Sequence, residues 1–456
     1  MPVRFVVIGG GPAGVEAAST AARLGAEVTI VERDLLGGAA NLWDCIPSKA
    51  MIATGEVLSI ARRSRALGLS LGDSPPDLGV LRERLRAISE QLSSSISDQL
   101  EAQGVRMVKG TGRLAGPHDV EINPESPDAA VETVGADAIL LSTGSVPRIP
   151  EWAEIDGDRI LITRQAYPPP VIPEELVVVG SGVTGVEFVH MFRSLGSRVA
   201  LIVSRQQVLP TKDPEVAAAL EADFLESGVI LVKGGRASSA VVKDDGVIVE
   251  CLDGRVVRGS HVLLAIGSVP STEGLSCESA GVHRDGAGHV PVNHHCQTNV
   301  AHIYASGDIS GRLQLASVAT MQGRKVAEHA MGLHTREHRH LDYDKAASAI
   351  FTEPEIADVG LAEADAFALG RKIRVTKVPF AANAKATISG DTRGFVKLVS
   401  DPQTGVVLGG AVVGAHAAEL ISVVALAVTA RLKVSDLSEA LFVHPALAEA
   451  LAEAAE

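Results

Sequence analysis

Cysteine, aromatic residues and long apolar runs are scarce in this sequence. The four cysteines, Cys45, Cys251, Cys277 and Cys296, stand too far apart for a disulfide framework or a zinc-binding pattern. No apolar run reaches the roughly 18 to 20 residues that a membrane-spanning helix needs, so we expect no integral membrane segment. The chain enters directly on the apolar stretch RFVVIGGG without a signal-peptide pattern, which predicts a cytoplasmic protein.

Runs of basic residues are also lacking. The formal net charge is −14, and without a stretch rich in lysine or arginine we expect no nucleic-acid partner. His294 and His295 lie in a polar stretch with no carboxylate at metal-ligand spacing, so we predict a solvated loop there and no metal site. Aromatic residues make up only 3%, so Ala, Val, Leu and Ile carry the apolar load. This composition favours helices packed on buried parallel strands.

Glycine is abundant, and three glycines mark the first recognisable unit. A strand over Arg4 to Ile8 leads into a glycine-rich turn, which is followed by a helix and by a second strand that ends at Glu32. Gly9 permits the tight turn, Gly11 lets a pyrophosphate approach the backbone, and Gly14 allows close packing of helix on strand. Glu32 is placed to accept hydrogen bonds from a ribose. The unit is therefore predicted to bind a dinucleotide.

A second copy of the pattern lies in LVVVGSGVTGVEFVHMFRSLGSRVALIV. Its three glycines repeat the first set at one constant offset and are Gly180, Gly182 and Gly185. The position equivalent to Glu32 is Val203, followed by Ser204 and Arg205. An acid there would repel the 2′-phosphate of NADPH, so its absence favours NADPH at the second site. Use of NADH at the same site stays open.

Two Gly-Ser-Val-Pro phrases, at 144–147 and 267–270, close the two modules. We therefore predict a first module over 1–150, a second over 151–270, a return to the first over 271–340, and an α+β domain over 341–456. In the last of these, the helix Ala417 to Ala430 is apolar nearly all round, so we expect it to pack against more than one neighbour, including another subunit. The predicted fold class is α/β, with two Rossmann-like dinucleotide-binding domains and a C-terminal α+β dimerisation domain.

Together with the phrases GGAANLWDCIPSK at 37–49, ASGD at 305–308 and HPALAE at 444–449, these repeats come in a fixed order along the chain. The whole chain resembles the flavoprotein disulfide reductases, the class I pyridine nucleotide-disulfide oxidoreductases that include dihydrolipoamide dehydrogenase, glutathione reductase and mercuric reductase. The resemblance implies a homodimer with FAD in the first module, NADPH or NADH in the second, and a C-terminal interface domain.

One departure from the family concerns its redox disulfide. The active segment of the family normally reads GGTCLNVGCIPSK, but here Ala40 replaces the first cysteine and only Cys45 remains. A dithiol relay needs two sulfurs, one to attack the substrate and one to resolve the mixed disulfide. The chain is therefore similar to the NAD(P)H quinone reductases of the family, which would pass electrons from NAD(P)H through FAD to a small acceptor such as a quinone. A soluble pyridine nucleotide transhydrogenase and a non-catalytic flavoprotein derived from dihydrolipoamide dehydrogenase are the alternatives.

The resemblance also assigns roles to single residues. Lys49 and Glu187 match the family's ion pair beside the flavin and nicotinamide, and Asp308 matches the residue that binds the ribityl chain of FAD. His444 and Glu449 match the dyad that the partner subunit contributes, although Phe442 and Ala446 replace a usual histidine and threonine nearby. Cys45 would either contact the flavin as a reactive thiol or be a packed residue without chemistry.

The predicted catalytic residues are His444, Glu449, Cys45 and Lys49. The predicted cofactor-binding residues of the two modules are Gly9, Gly11, Pro12, Ala13, Gly14, Glu32, Arg33, Gly38, Lys49, Gly112, Thr143, Gly144, Gly180, Gly182, Val183, Thr184, Gly185, Glu187, Val203, Ser204, Arg205, Gly267, Gly307, Asp308, Leu315 and Ala316.

Overall fold

A computed structural model describes residues 1–71, 75–126, 128–333 and 341–456. The chain forms two compact units, and each is assembled from three separate stretches of sequence. The first unit comprises Met1–Ala50, Gly79–Arg148 and Ser268–Tyr343. The second comprises Met51–Leu78, Ile149–Gly267 and Asp344–Glu456.

The described ranges contain α-helices and β-strands that alternate along most of the chain. The helices are α1 Pro12–Arg23, α2 Ile46–Arg63, α3 Leu78–Ala102, α4 Val183–Leu195, α5 Pro214–Glu226, α6 Ala316–Ala330, α7 Glu363–Ala368, α8 Ala384–Ser389, α9 Ala417–Ala430, α10 Val434–Ser438 and α11 Glu449–Ala455. The strands are β1 Arg4–Ile8, β2 Glu27–Glu32, β3 Arg106–Gly116, β4 Asp119–Pro124, β5 Glu132–Gly135, β6 Ala138–Leu141, β7 Ser145–Pro147, β8 Ile160–Ile162, β9 Glu175–Val179, β10 Arg198–Val203, β11 Ile230–Lys233, β12 Ala237–Lys243, β13 Gly246–Cys251, β14 Val256–Gly259, β15 His261–Leu264, β16 Ser268–Pro270, β17 Ile303–Ala305, β18 Ser348–Ile350, β19 Ile356–Gly360, β20 Arg374–Pro379, β21 Phe395–Ser400 and β22 Val407–Val413.

The first unit is built on a sheet with strand order β17-β6-β1-β2-β3-β4-β5, in which β17, β6, β1, β2 and the start of β3 run parallel. Strand β1 is buried on both faces, because Phe5 and Val7 pack with helices α1 and α6 while Val6 and Ile8 pack with β3 and β4. Helix α6 approaches α1 closely at Gly323, where an added Cβ would lie 2.1 Å from the carbonyl oxygen of Ala13. The parallel strands thus end at one edge, where the first glycine turn begins.

The second unit contains three sheets. A parallel sheet of order β11-β10-β9-β15-β8 carries the second glycine turn at the end of β9. A three-stranded antiparallel sheet, β12-β13-β14, packs into the same core. The C-terminal part forms the antiparallel sheet β18-β19-β22-β21-β20, on which α9 and α11 pack.

Ion pairs of one buried lysine connect the parallel-sheet part of the second unit to its C-terminal sheet. Lys397 on β21 has a side chain only 3% exposed, and its Nζ lies 3.3 Å from Asp213, 2.7 Å from Glu215 and 2.6 Å from Glu363. Asp213 also caps the N-terminus of α5 by accepting a hydrogen bond from the Glu215 amide. Because charges removed from water need such partners, this cluster fixes the register between α5 and the C-terminal sheet.

The structure confirms the α/β fold class and differs from the sequence prediction in detail. The sequence also predicts a helix from Ala446 to the end of the chain, but the last helix begins at Glu449, after an irregular segment over 441–448. Helix α9 packs on β19 and β22, but Leu426 on its other side is 64% exposed, so its predicted second neighbour stays a prediction. None of the described helices is both long and apolar enough to cross a membrane.

Candidate functional site

The first glycine turn follows β1 and leads into α1. Gly9 has φ +105°, and an added Cβ there would lie 2.4 Å from the carbonyl oxygen of Ser142. An added Cβ on Gly14 would lie 2.0 Å from the carbonyl oxygen of Gly9. At Gly11, by contrast, an added Cβ would meet no heavy atom within 4 Å in the described chain. A side chain at Gly9 or Gly14 would thus clash with neighbouring backbone, whereas the space in front of Gly11 is open.

Gly11 also caps helix α1 and brings no side chain to the helix end. Backbone N–H groups in the first turn of a helix have no partner within the helix, and they carry the positive end of its dipole. Pro12 and Ala13 form this first turn. An open, positively polarised helix end of this kind suits a pyrophosphate.

Glu32 ends β2 beside the turn. Its carboxylate accepts hydrogen bonds from the Gly10 amide at 2.6 Å and from the Asp34 amide at 2.8 Å. These contacts fix its carboxylate next to the open space at Gly11. Arg33 is exposed, and its Nε lies 3.4 Å from Asp34, so its guanidinium is directed at a neighbouring surface carboxylate.

Further predicted residues of the first unit line the same sheet edge. Thr143 follows β6, and its hydroxyl donates to the Ser271 carbonyl at 2.6 Å. Gly144 adopts a positive φ of +67°. Gly112 lies on β3, where an added Cβ would come within 3.3 Å of Ile8. Gly38 packs on the first turn, since an added Cβ would lie 2.8 Å from the Gly11 Cα.

Asp308 follows β17 and accepts a hydrogen bond from the Ser145 hydroxyl at 2.6 Å. Gly307 precedes it with φ +74°, and its amide donates to Gln322 at 2.7 Å. Leu315 caps α6 and Ala316 is the first residue of that helix. The sequence analysis did not predict the supporting residues Ser145 and Gln322. Ser145 could have been found, because it belongs to the first of the two repeated Gly-Ser-Val-Pro phrases.

The segment that carries Cys45 forms a π-helical turn over Ala40–Asp44, which leads into α2. The Cys45 amide donates to the Ala40 carbonyl at 3.2 Å, and the Lys49 amide donates to the Cys45 carbonyl at 3.0 Å. Cys45 is half-buried, and none of the four cysteines is joined in a disulfide. Burial raises the thiol pKa of Cys251, Cys277 and Cys296, to about 12 for Cys296, so these three are not thiolates at neutral pH.

The second glycine turn repeats the geometry of the first. Gly182 has φ −73° and ψ −176°, against −72° and −175° for Gly11, and an added Cβ would again meet no described atom within 4 Å. Gly180 has φ +110°, and an added Cβ on Gly185 would lie 1.8 Å from the Gly180 carbonyl oxygen. Val183 and Thr184 are exposed in the first turn of α4.

The strand that follows this turn ends without a carboxylate. Val203 is fully buried at the end of β10, and its carbonyl accepts from the Gly235 amide. Ser204 and Arg205 come next and are exposed. Gly267, with φ +93°, follows β15 in the same unit. The groups beside the second open turn are therefore a hydroxyl and a guanidinium.

Glu187 lies on α4 and is only 5% exposed. Its carboxylate accepts a hydrogen bond from the Phe351 amide at 3.0 Å, which holds it within the second unit. Lys49 belongs to the first unit, so the ion pair expected between the two residues stays a prediction.

His444 and Glu449 form a hydrogen-bonded pair in the second unit. His444 Nδ1 lies 2.8 Å from Glu449 Oε1, and the other carboxylate oxygen accepts from the Ala446 amide at 2.8 Å. These hydrogen bonds, first from Ala446 and then from His444, lower the pKa of Glu449. An ionised carboxylate can only accept, so Nδ1 donates this hydrogen bond. The His444 side chain is 74% exposed in the single chain.

Two open glycine turns of matching geometry, one in each unit, are the arrangement expected of a protein that uses two dinucleotides. Residues 3–323 match the pyridine nucleotide-disulphide oxidoreductase family, and residues 346–455 match the dimerisation domain of that family. The chain belongs to this family. It is an oxidoreductase that uses FAD and NAD(P)H.

The relatives cover its full length. An NAD(P)H dehydrogenase (quinone) from Mycobacterium tuberculosis is 40% identical over 100% of this chain and 94% of its own. A dihydrolipoyl dehydrogenase from Chlorobaculum tepidum is 33% identical over 98% of this chain and 95% of its own. The crystal structure of LpdA from Mycobacterium tuberculosis is 40% identical and superposes with a TM-score of 0.93, covering 99% of both chains.

Proposed function

We propose that this enzyme passes two electrons from NAD(P)H through FAD to a small diffusible acceptor, a quinone, without a redox disulfide. The observation that carries the proposal is Ala40. It stands where the family's segment has its first cysteine, so Cys45 is the one sulfur between 37 and 49. A disulfide relay through this segment has no second sulfur, whereas electron transfer to a quinone needs none. The name of the Mycobacterium tuberculosis relative agrees with this acceptor.

The first module, over 1–150 and 271–340, is proposed to hold FAD. The open space at Gly11, the helix end behind it and the anchored Glu32 carboxylate suit the pyrophosphate and ribose of a dinucleotide. Asp308 would bind the ribityl chain. Bound FAD would supply the two-electron redox chemistry between NAD(P)H and the acceptor. We propose that the chain itself contributes position and charge, in that Lys49 would stabilise negative charge near the flavin and Glu187 would hold Lys49.

The second module, over 151–270, is proposed to hold the pyridine nucleotide. Gly182 leaves the same open space as Gly11, and Ser204 and Arg205 replace the acid that would repel a 2′-phosphate. NADPH is therefore the proposed donor, and NADH is the alternative at the same turn.

The reaction consumes a proton, because NAD(P)H and a quinone yield oxidised nucleotide and hydroquinone only with one proton from elsewhere. His444 is proposed to supply it as an imidazolium that gives up the Nε2 proton and keeps the Nδ1 proton in its hydrogen bond to Glu449. We further propose a cytoplasmic homodimer, assembled through the C-terminal domain over 341–456, in which each chain offers its exposed His444 to the other. The dimerisation domain supports this assembly.

Separate measurement of the two half-reactions tests the proposal. Steady-state oxidation of NADPH should proceed with menadione and fail with lipoamide or glutathione disulfide. In stopped-flow experiments, His444→Ala should leave flavin reduction by NADPH nearly intact and slow reoxidation by menadione about 10²- to 10⁴-fold. Glu449→Gln should show a smaller defect in the same step.

Three results would contradict the proposal. Robust lipoamide reduction would mean that a relay operates elsewhere, a flavin that NAD(P)H cannot reduce would leave only a binding role, and rapid hydride exchange between NADPH and NAD⁺ without turnover of quinone would indicate a transhydrogenase. Equal slowing of both half-reactions in His444→Ala would instead give His444 a structural role.

A further inference from the structure

The side chain of Gln322 lies inside the first unit and holds the turn that carries Asp308. Gln322 belongs to α6 and is only 1% exposed. Its Oε1 accepts a hydrogen bond from the Gly307 amide at 2.7 Å, and its Nε2 donates one to the Tyr343 hydroxyl at 2.9 Å. Because a backbone amide can only donate, the oxygen of Gln322 must face Gly307, and both ends of the side-chain amide have a partner.

The backbone at Gly307 explains why this hydrogen bond matters. Gly307 has φ +74° and ψ −157°, a conformation that is essentially restricted to glycine. The next residue is Asp308, whose carboxylate accepts a hydrogen bond from Ser145. Ser145 thus holds the end of the aspartate side chain, whereas Gln322 holds the backbone one residue before it. Together they determine where the carboxylate lies.

The same part of α6 also contacts the helix that follows the first glycine turn. An added Cβ on Gly323 would lie 2.1 Å from the carbonyl oxygen of Ala13, so the backbones of α6 and α1 touch there. The guanidinium of Arg324 lies 2.9 Å from the carboxylate of Glu16 on α1. Three consecutive residues of one helix therefore hold both segments of the proposed FAD site.

We propose that Gln322 positions Asp308 for FAD. By holding the Gly307 amide, it sets the place of this carboxylate relative to the α1 helix end that would accept the pyrophosphate. FAD joins its pyrophosphate to its ribityl chain covalently, so one molecule can use both groups only if the protein keeps their spacing. The inference rests on the proposed FAD site in the first module. Gln322 is a positioning residue in this account and takes no part in electron transfer.

Titration of the apoprotein with FAD, followed by flavin fluorescence, tests the proposal. Gln322→Met has a side chain of similar size without the acceptor, and it should weaken FAD binding about 10-fold, as expected when one hydrogen bond of a charged group is weakened. Gln322→Glu keeps an oxygen for the Gly307 amide, and the Tyr343 hydroxyl can turn to donate to the other oxygen. This variant should therefore bind FAD within about threefold of the wild type. A glutamate variant as weak as the methionine variant would contradict the proposal.

A double substitution separates positioning from a general loss of packing. Asp308→Ala alone should weaken FAD binding about 10- to 100-fold. Adding Gln322→Met to it should weaken binding by no more than about twofold further, because the carboxylate through which Gln322 acts is gone. If Gln322→Met weakens binding by the same factor with and without Asp308, its effect does not pass through the carboxylate and the proposal is refuted.

The thermal midpoints of the apoproteins show whether the variants fold, and Gly11→Val serves as the parallel variant for the site itself. If Gly11→Val loses FAD while Gln322→Met binds it as tightly as the wild type, the role of Gln322 is refuted and the FAD site stands. If Gly11→Val binds FAD normally, the site and the inference both fall. Should Gln322→Met not fold, Gln322→Asn replaces it with the same expected pattern, because its shorter side chain withdraws the acceptor from Gly307 but leaves room for a water molecule.

Discussion

The two open glycines, Gly11 and Gly182, allow a matched pair of substitutions that separates folding from cofactor binding. Their backbone angles agree within 1°, and neither φ is positive, so an L-residue fits both positions without strain. Alanine at either position should leave the apoprotein as stable as the wild type, or more stable by about 0.4 to 1 kcal/mol, because the unfolded chain loses freedom.

Valine at the same positions should remove ligand binding instead. Its methyl groups would extend into the space proposed for a pyrophosphate and displace at least two hydrogen bonds from backbone N–H groups to charged oxygens. At about 1.5 to 3 kcal/mol for each bond, the loss is about 3 to 6 kcal/mol, or roughly 10² to 10⁴ in dissociation constant. Gly11→Val should lose FAD and keep the second site, whereas Gly182→Val should keep FAD and lose NADPH.

The assays are flavin fluorescence for FAD, NADPH fluorescence for the second site, and thermal unfolding for the fold. Gly14→Ala is the contrasting variant, because its Cβ would lie 2.0 Å from backbone oxygen, and it should destabilise the protein itself. The reasoning would be refuted if Gly11→Val unfolded the apoprotein while Gly14→Ala was tolerated, or if each valine affected both ligands equally.

Three further substitutions have expected outcomes. Val203→Glu should shift the ratio of the kcat/KM values for NADH and NADPH toward NADH by at least about tenfold, because a carboxylate repels the 2′-phosphate of NADPH. Steady-state kinetics with both donors measures this ratio. An unchanged ratio would mean that the adenosine ribose binds elsewhere. Burial lowers the pKa of His190 to about 4 from 6.5, so its contribution to stability is complete above pH 6.5 and is lost as the pH falls toward 4. By pH 5 the loss is about 2 kcal/mol, and urea titrations of His190→Leu should lack this component of the pH dependence. Lys397→Met should lower the free energy of unfolding by about 2 to 4 kcal/mol, because it leaves the carboxylates of Asp213, Glu215 and Glu363 without their shared cation; a neutral effect would show that water already screens them.

The first βαβ unit was predictable almost residue by residue. The strand Arg4–Ile8 has the bounds that its apolar run predicts. The helix, expected to end at about Leu24, ends at Arg23, and the second strand ends at Glu32 as expected. Local pattern suffices there because strand, turn and helix are each specified by neighbouring residues. The close approach at Gly14 is equally local, since it is made with Gly9 in the same turn.

Contacts between distant stretches were not predictable. Ser145 meets Asp308 across 163 positions of sequence, and Lys397 meets Asp213 across 184. No periodicity or spacing reports such pairs. The π-helical turn at Ala40–Asp44 was not predicted for another reason. A π-helical turn has no characteristic amino-acid composition that would distinguish it from an α-helical turn.

The hydrogen bonds that hold the side chains of the proposed site do not involve residue 40. Glu32 is anchored by the Gly10 and Asp34 amides, Asp308 by Ser145, and His444 by a carboxylate that is itself held by the Ala446 amide. Replacing a cysteine by Ala40 therefore removes one chemical route without loosening any of these contacts. Under the proposed function, a chain without this disulfide would still position a dinucleotide and an exposed acid, the two things that we propose for reduction of a diffusible quinone. On this proposal, the loss of one sulfur would change which acceptor can react, because none of these contacts involves residue 40.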